Sequence, residues 1–144
     1  METEVVAAEL ERIRKQHGGL LRPADVVKAA RHDTSPLHSK FEWDDSAAAE
    51  QYRLWQAREL IVTVMVTSNK IEHQAYMSIR LDRKKSGGGY RAVADMLSDE
   101  DMRAQLLAEA LADLEIFRRR YNMLKALVPV FAAIDEVRKQ SRKK

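Results

Sequence analysis

The sequence contains no cysteine, which excludes a disulfide framework, a thiolate nucleophile and any Cys-ligated zinc. Long apolar runs are also missing, since none approaches the roughly 20 residues that a membrane-spanning helix needs. The start, METEVVAAELERIRKQ, is acidic and then amphipathic, unlike the basic start and continuous apolar stretch of a secretory signal. A cytoplasmic location with no membrane partner is therefore expected. Catalytic signatures are lacking too: there is no GxxxxGK[ST] phosphate loop, no GxSxG elbow and no dinucleotide fingerprint. His17, His32, His38 and His73 are scattered, with no i,i+4 pair on a helix, so no metal site is expected. Asp44-Asp45 and the acids Asp99, Glu100 and Asp101 read as helix caps rather than as catalytic carboxylates. Nothing supplies the positioned nucleophile and base that chemistry needs. The expectation is a protein that is not an enzyme and carries no cofactor.

What is present is a chain of 144 residues with 33% charged and 45% hydrophobic side chains, the balance of a folded domain with a real core. The formal net charge is only +3, yet its distribution is uneven. Nine Lys and Arg face two acids from Arg118 to Lys144, whereas Ala92–Phe117 carries seven acids and one arginine. Such asymmetry points to an anionic partner at particular places. A lysine-rich tail that merely aids solubility is the alternative.

The periodicity predicts a mainly α chain with a small β-hairpin, an α+β class. Val6, Leu10 and Ile13 place a helix over Thr3–Gln16, ended by Gly18-Gly19. Proline in the first turn opens a second helix at Pro23, which gives out near His32. Ser35-Pro36 reads as a cap and first turn for a short helix, Leu37–Phe41. Asp44 or Asp45 caps a fourth helix, Ser46–Leu60. The β-branched run Ile61–Thr67 suits a strand. Across a turn at Ser68-Asn69-Lys70, Ile71–Leu81 alternates apolar and polar residues like a strand with one buried face, His73 included. Ala92–Leu97 forms a short helix, and Ser98 caps the next. Leu107, Leu111, Leu114, Phe117, Tyr121, Leu124, Val128 and Phe131 then recur at steps of three or four. They predict one long helix that Pro129 kinks or ends. Three segments follow, 1–60, 61–91 and 92–144, expected within one structural domain.

Two places could meet an anion. The first is a candidate helix-turn-helix over Pro23–Phe41, whose second helix would present His38 and Lys40 to bases, with Arg22, Lys28 and Arg31 near phosphates. The alternative is an ordinary helical corner with Leu37, Phe41 and Trp43 plugged into the core. The second is the loop Arg80–Arg91, where Arg83, Lys84, Lys85 and Arg91 surround Gly87–Gly89. Glycines let a polyanion approach the backbone, and phosphate is the expected target. A merely solvated hairpin exit is the alternative. The long C-terminal stripe, Leu107 to Val128, is expected to make a homodimer. Its acidic start and basic end favour antiparallel pairing.

The words SPLH (Ser35–His38), FEWDD (Phe41–Asp45), YRLWQAR (Tyr52–Arg58) and GGGYR (Gly87–Arg91) resemble a family of short proteins encoded by tailed phages and prophages. The likeness runs from about Leu10 to Ile134. It implies a phage or mobile-element setting, hence the host cytoplasm, and no particular activity. In that setting the charge clusters lead to a DNA-binding accessory or regulatory protein, dimeric through the C-terminal helix. A protein-interaction module that inhibits or adapts a host protein, using the hairpin edge or the long helix, is the alternative. A small virion or packaging component is a third.

Overall fold

A computed structural model describes residues 2–44, 46–85 and 87–143. The chain is mainly helical with a few short antiparallel strands. It divides into two compact units, Met1–Ser98 and Asp99–Lys144.

The first unit is built on three helices. Helix α1 (Glu2–Gln16) turns Val6, Leu10 and Ile13 inward, and Gly18 and Gly19 follow it with positive φ. Strand β1 (Leu20–Leu21) leads to α2 (Pro23–Ala30), which buries Val26, Val27 and Ala30. Beyond it lies the main departure from expectation. Leu37–Phe41 forms only a three-residue 3-10 turn, His38–Lys40, so no second helix exists to complete a helix-turn-helix. Leu37 is fully buried and Phe41 nearly so. The segment is a core-plugging corner, because burying those two side chains outweighs continuing a helix through HDTS.

Helix α3 (Ala47–Thr63) is capped by Ser46, whose side chain accepts from the Ala49 N–H at 3.1 Å. A cap at Asp45 falls outside the described residues. Ala49, Arg53, Ala57 and Ile61 form its buried stripe, so Ile61–Thr63 stay helical although the β-branched run suggests a strand. Burial of Ile61 on that stripe overrides local propensity. Strands β2 (Met65–Ser68) and β3 (Ile71–Gln74) pair antiparallel, Met65 opposite Gln74 and Ser68 opposite Ile71. Asn69 and Lys70 both take positive φ in the two-residue turn. The expected buried face is not there: Met65, Val66 and Ile71 are exposed, and His73 is half-buried. The long strand breaks at Ala75 into β4 (Tyr76–Met77), then a short helix, α4 (Arg80–Arg83). Strand β5 (Tyr90–Ala92) lies between β1 and β4 in a three-stranded antiparallel sheet. Helix α5 (Val93–Ser98) ends the unit.

The second unit is a helical hairpin. Helix α6 (Glu100–Tyr121) starts at Asp99, whose carboxylate accepts from the Met102 N–H at 2.9 Å. Ser98 instead donates to the Asp95 carbonyl. The helix ends at Tyr121, a 3-10 turn (Lys125–Leu127) reverses the chain, and α7 (Val128–Ser141) runs back with Pro129 in its first turn. The long continuous helix is thus two helices. Acid–base pairs join the two antiparallel helices of the hairpin: Arg118 with Asp135 at 2.8 Å and Arg138 with Glu115 at 3.4 Å.

Candidate nucleic-acid interface

The glycine loop is held from beneath by one ion pair. Asp82 is fully buried and receives two bonds from Arg91, Nε to Oδ2 at 2.7 Å and Nη2 to Oδ1 at 2.8 Å. The pair ties α4 to β5, so the intervening segment must close as a tight turn. A bond from the Gly88 N–H to the Lys85 carbonyl at 3.0 Å closes it. Gly87 and Gly88 have φ of 83° and 61°, which side-chain-bearing residues rarely adopt. Gly89 is required for a different reason: a Cβ there would lie 2.7 Å from the Leu20 side chain.

This closure sets a cation from a distant part of the sequence beside the loop. The Arg22 side chain passes alongside Gly87, its Cδ 3.9 Å from where a Cβ would stand. Lys84 and Lys85 are exposed on the loop itself. Arg22 precedes α2 directly, so the N-terminal end of that helix adjoins the same place. Asp25 tempers the charge, since its carboxylate lies 3.7 Å from the Arg22 guanidinium.

The remaining candidates are mostly occupied elsewhere. Arg91 faces inward on Asp82, and its pKa is raised by that bond. Arg83 donates to the Ser78 carbonyl at 2.7 Å. Arg31 pairs with Glu50 at 2.6 Å, and Lys40 pairs with Glu2. His38 donates from Nδ1 to the Ala30 carbonyl at 2.8 Å and stacks on Trp43, ring centroids 5.0 Å apart. Lys28 is exposed on α2. Of the nine cationic and histidine candidates, the structure sets Arg22 beside the loop that carries Lys84 and Lys85, and uses Arg31, His38, Lys40 and Arg91 to hold the fold.

Periodicity missed the two buried polar clusters. In one, Arg53 lies almost wholly buried and donates to the Glu42 and Asp44 carbonyls and to Glu50. The guanidinium groups of Arg53 and Arg31 lie 5.3 and 5.4 Å from the Trp43 ring. That cluster accounts for Glu42, Trp43 and Asp44 of the FEWDD word as scaffold. Arg53 and Arg31 hold the Glu50 carboxyl below its ordinary pKa. In the other, the Tyr76 hydroxyl donates to Glu11 at 2.8 Å, Glu11 accepts from Arg14, and Arg14 reaches Asp95 at 3.0 Å. Arg14 lowers the Glu11 pKa, and burial raises that of Tyr76. Among the described residues no group of three or more His, Asp or Glu side chains is placed to hold a metal ion.

No protein-family model, curated protein or solved structure matches the chain. No helix among the described residues is long and apolar enough to cross a membrane.

Proposed function

We propose that the chain is a non-catalytic nucleic-acid-binding accessory protein that grips phosphate backbone through the glycine turn and reads no bases. The supporting observation is that the Arg22 side chain lies beside Gly87, in the loop that carries the exposed Lys84 and Lys85 more than sixty positions further along the sequence. Glycines without side chains let a phosphate approach the turn closely, and the three cations supply charge-assisted contacts. Base reading is left out of the proposal because His38–Lys40 is a single 3-10 turn too short to enter a groove.

Titration of a labelled duplex across salt concentrations tests the reading. Three neutralised phosphates predict roughly 40-fold weaker binding on going from about 50 to about 200 mM salt. The double variant Lys84→Ala/Lys85→Ala should bind more weakly and lose about two units of that log–log slope. Absence of binding at low salt, or binding indifferent to the two lysines, sinks the proposal.

A protein-interaction module is the second reading, favoured by one observation. The β2–β3 hairpin shows Met65, Val66 and Ile71 to solvent, an arrangement suited to docking against another protein. In that case a stoichiometric partner survives nuclease treatment and is lost on Ile71→Asp.

A further inference from the structure

We propose that the α6–α7 hairpin is half of a four-helix bundle completed by a second copy of this chain, with α6 packed antiparallel on its counterpart. This inference is independent of nucleic-acid binding. It rests on the geometry of the hairpin seam. Arg118 bonds the Phe131 carbonyl and Asp135, and Arg138 bonds the Leu111 carbonyl. Those contacts identify which line of each helix faces the other: Leu111 to Arg118 on α6, and Phe131, Ile134 and Arg138 on α7.

At 3.6 residues per turn, the side of each helix next to that seam is then determined. In antiparallel helices, equal rotations from the seam lead to the same side of the pair. On one side lie Leu107, Leu114 and Phe117 of α6 with Val130 and Val137 of α7. All five are between 37% and 42% exposed. No charged residue falls in this stripe between Leu107 and Tyr121 or between Val130 and Val137. The opposite side carries Asp101, Arg119, Lys139 and Arg142. The hairpin therefore has one apolar face and one charged face.

Two considerations select a second copy as the cover. A 46-residue unit whose large apolar side chains are buried only at Leu111 and Ile134 has too little core to stand alone, and with no cysteine it has no disulfide to compensate. A two-fold interface must also be self-complementary. The outer edge of the apolar face meets this requirement. An open groove of about 330 Å³ is lined there by Asp113, Ile116, Phe117, Arg120 and Tyr121. A two-fold axis crossing α6 between Ile116 and Phe117 sets Asp113 of each copy opposite Arg120 of the other, with the two Phe117 rings meeting at the centre. The same axis falls near the middle of the length that α6 shares with α7.

The oligomeric state of the full chain tests the proposal. Sedimentation at micromolar concentration should give twice the 16.5 kDa chain mass. Phe117→Asp should give a monomer whose helical circular dichroism is retained through the first unit. Because that change is drastic, the rim pair supplies a gentler test. Asp113→Arg should raise the dimer dissociation constant by roughly three- to tenfold, since it sets like charges together twice. Adding Arg120→Asp should restore it. A wild-type monomer overturns the proposal and leaves this face to a different protein. A dimer unaffected by Phe117→Asp, or an exchange of charges that restores nothing, overturns it equally.

Discussion

The two units differ in how they use amphipathic helices. In residues 1–98 three helices, a small sheet and a 3-10 corner converge on Leu10, Ile13, Leu21, Val26, Leu37 and Ile61, all fully buried. Their polar intruders are satisfied: Arg53 by backbone carbonyls and Glu50, Asp82 by Arg91. In residues 99–144 the apolar spacing is just as regular, yet only Leu111 and Ile134 are buried among the large side chains. Two helices can enclose a single line of residues between them, and a third layer is needed to close a core. Regular spacing therefore says which face wants burial, whereas the number of elements that meet there decides whether burial is achieved.

The largest expected effect lies in the first unit. Leu10→Ala should lower stability by about 4 kcal/mol, because a fully enclosed side chain leaves a cavity, and urea unfolding should show that loss at every protein concentration. Leu111→Ala should instead show a loss that shrinks or grows with chain concentration. An equal, concentration-independent loss at both sites would break the contrast between the units. Next comes the support of the glycine loop. Arg91→Ala strands the Asp82 carboxylate in the interior and should cost roughly 2–3 kcal/mol, at the lower end for a broken buried pair because Arg91 remains partly solvated.

The smallest effect sharpens the picture of the polar cluster on α1. Tyr76→Phe should cost about 1 kcal/mol, one hydrogen bond, with Arg14 still holding Glu11. The sign of its pH dependence follows from burial. The folded phenol titrates above its ordinary value near 10, so its contribution is complete below about pH 10 and is lost as pH rises through the folded value. Glu11 behaves oppositely, its pKa being lowered by Arg14. Its contribution is complete above the ordinary carboxylate range near 4.3 and is lost as pH falls through the folded value. Thermal melts of wild type and Tyr76→Phe should converge in alkali, and should also draw together in acid as Glu11 takes up its proton, because the Tyr76 bond helps to lower the Glu11 pKa.

Much of this was legible in residue order. Val6, Leu10 and Ile13 marked the buried face of α1, Pro23 marked the start of α2, and Asn69-Lys70 marked the hairpin turn. Those signals act within a few residues, where backbone geometry alone relates the positions. The misreadings were of another kind. Ile61–Thr63 carried strand propensity but lie on α3, because Ile61 extends the stripe Ala49–Arg53–Ala57 into the core. The alternation over Ile71–Leu81 promised a buried sheet face, but Met65 and Val66 of the partner strand and Ile71 face solvent. Of the candidate site, the glycines and lysines of the loop stood out, whereas Arg22 beside Gly87 depends on β1 pairing with β5.

By itself the sequence determined the helical class, the apolar spacings and the charge gradient from Ala92 to Lys144. Each is a property of neighbours along the chain. Only the tertiary structure decided that Arg91 and Arg53 turn inward, that Leu37, Phe41 and Trp43 serve the core, and that the C-terminal stripe folds back on itself. Those outcomes depend on which groups from remote segments arrive first-hand at a buried carboxylate, a carbonyl or an indole ring. Part of the charge pattern is satisfied by α7, because the 3-10 turn at Lys125–Leu127 brings Asp135 to Arg118 within one molecule.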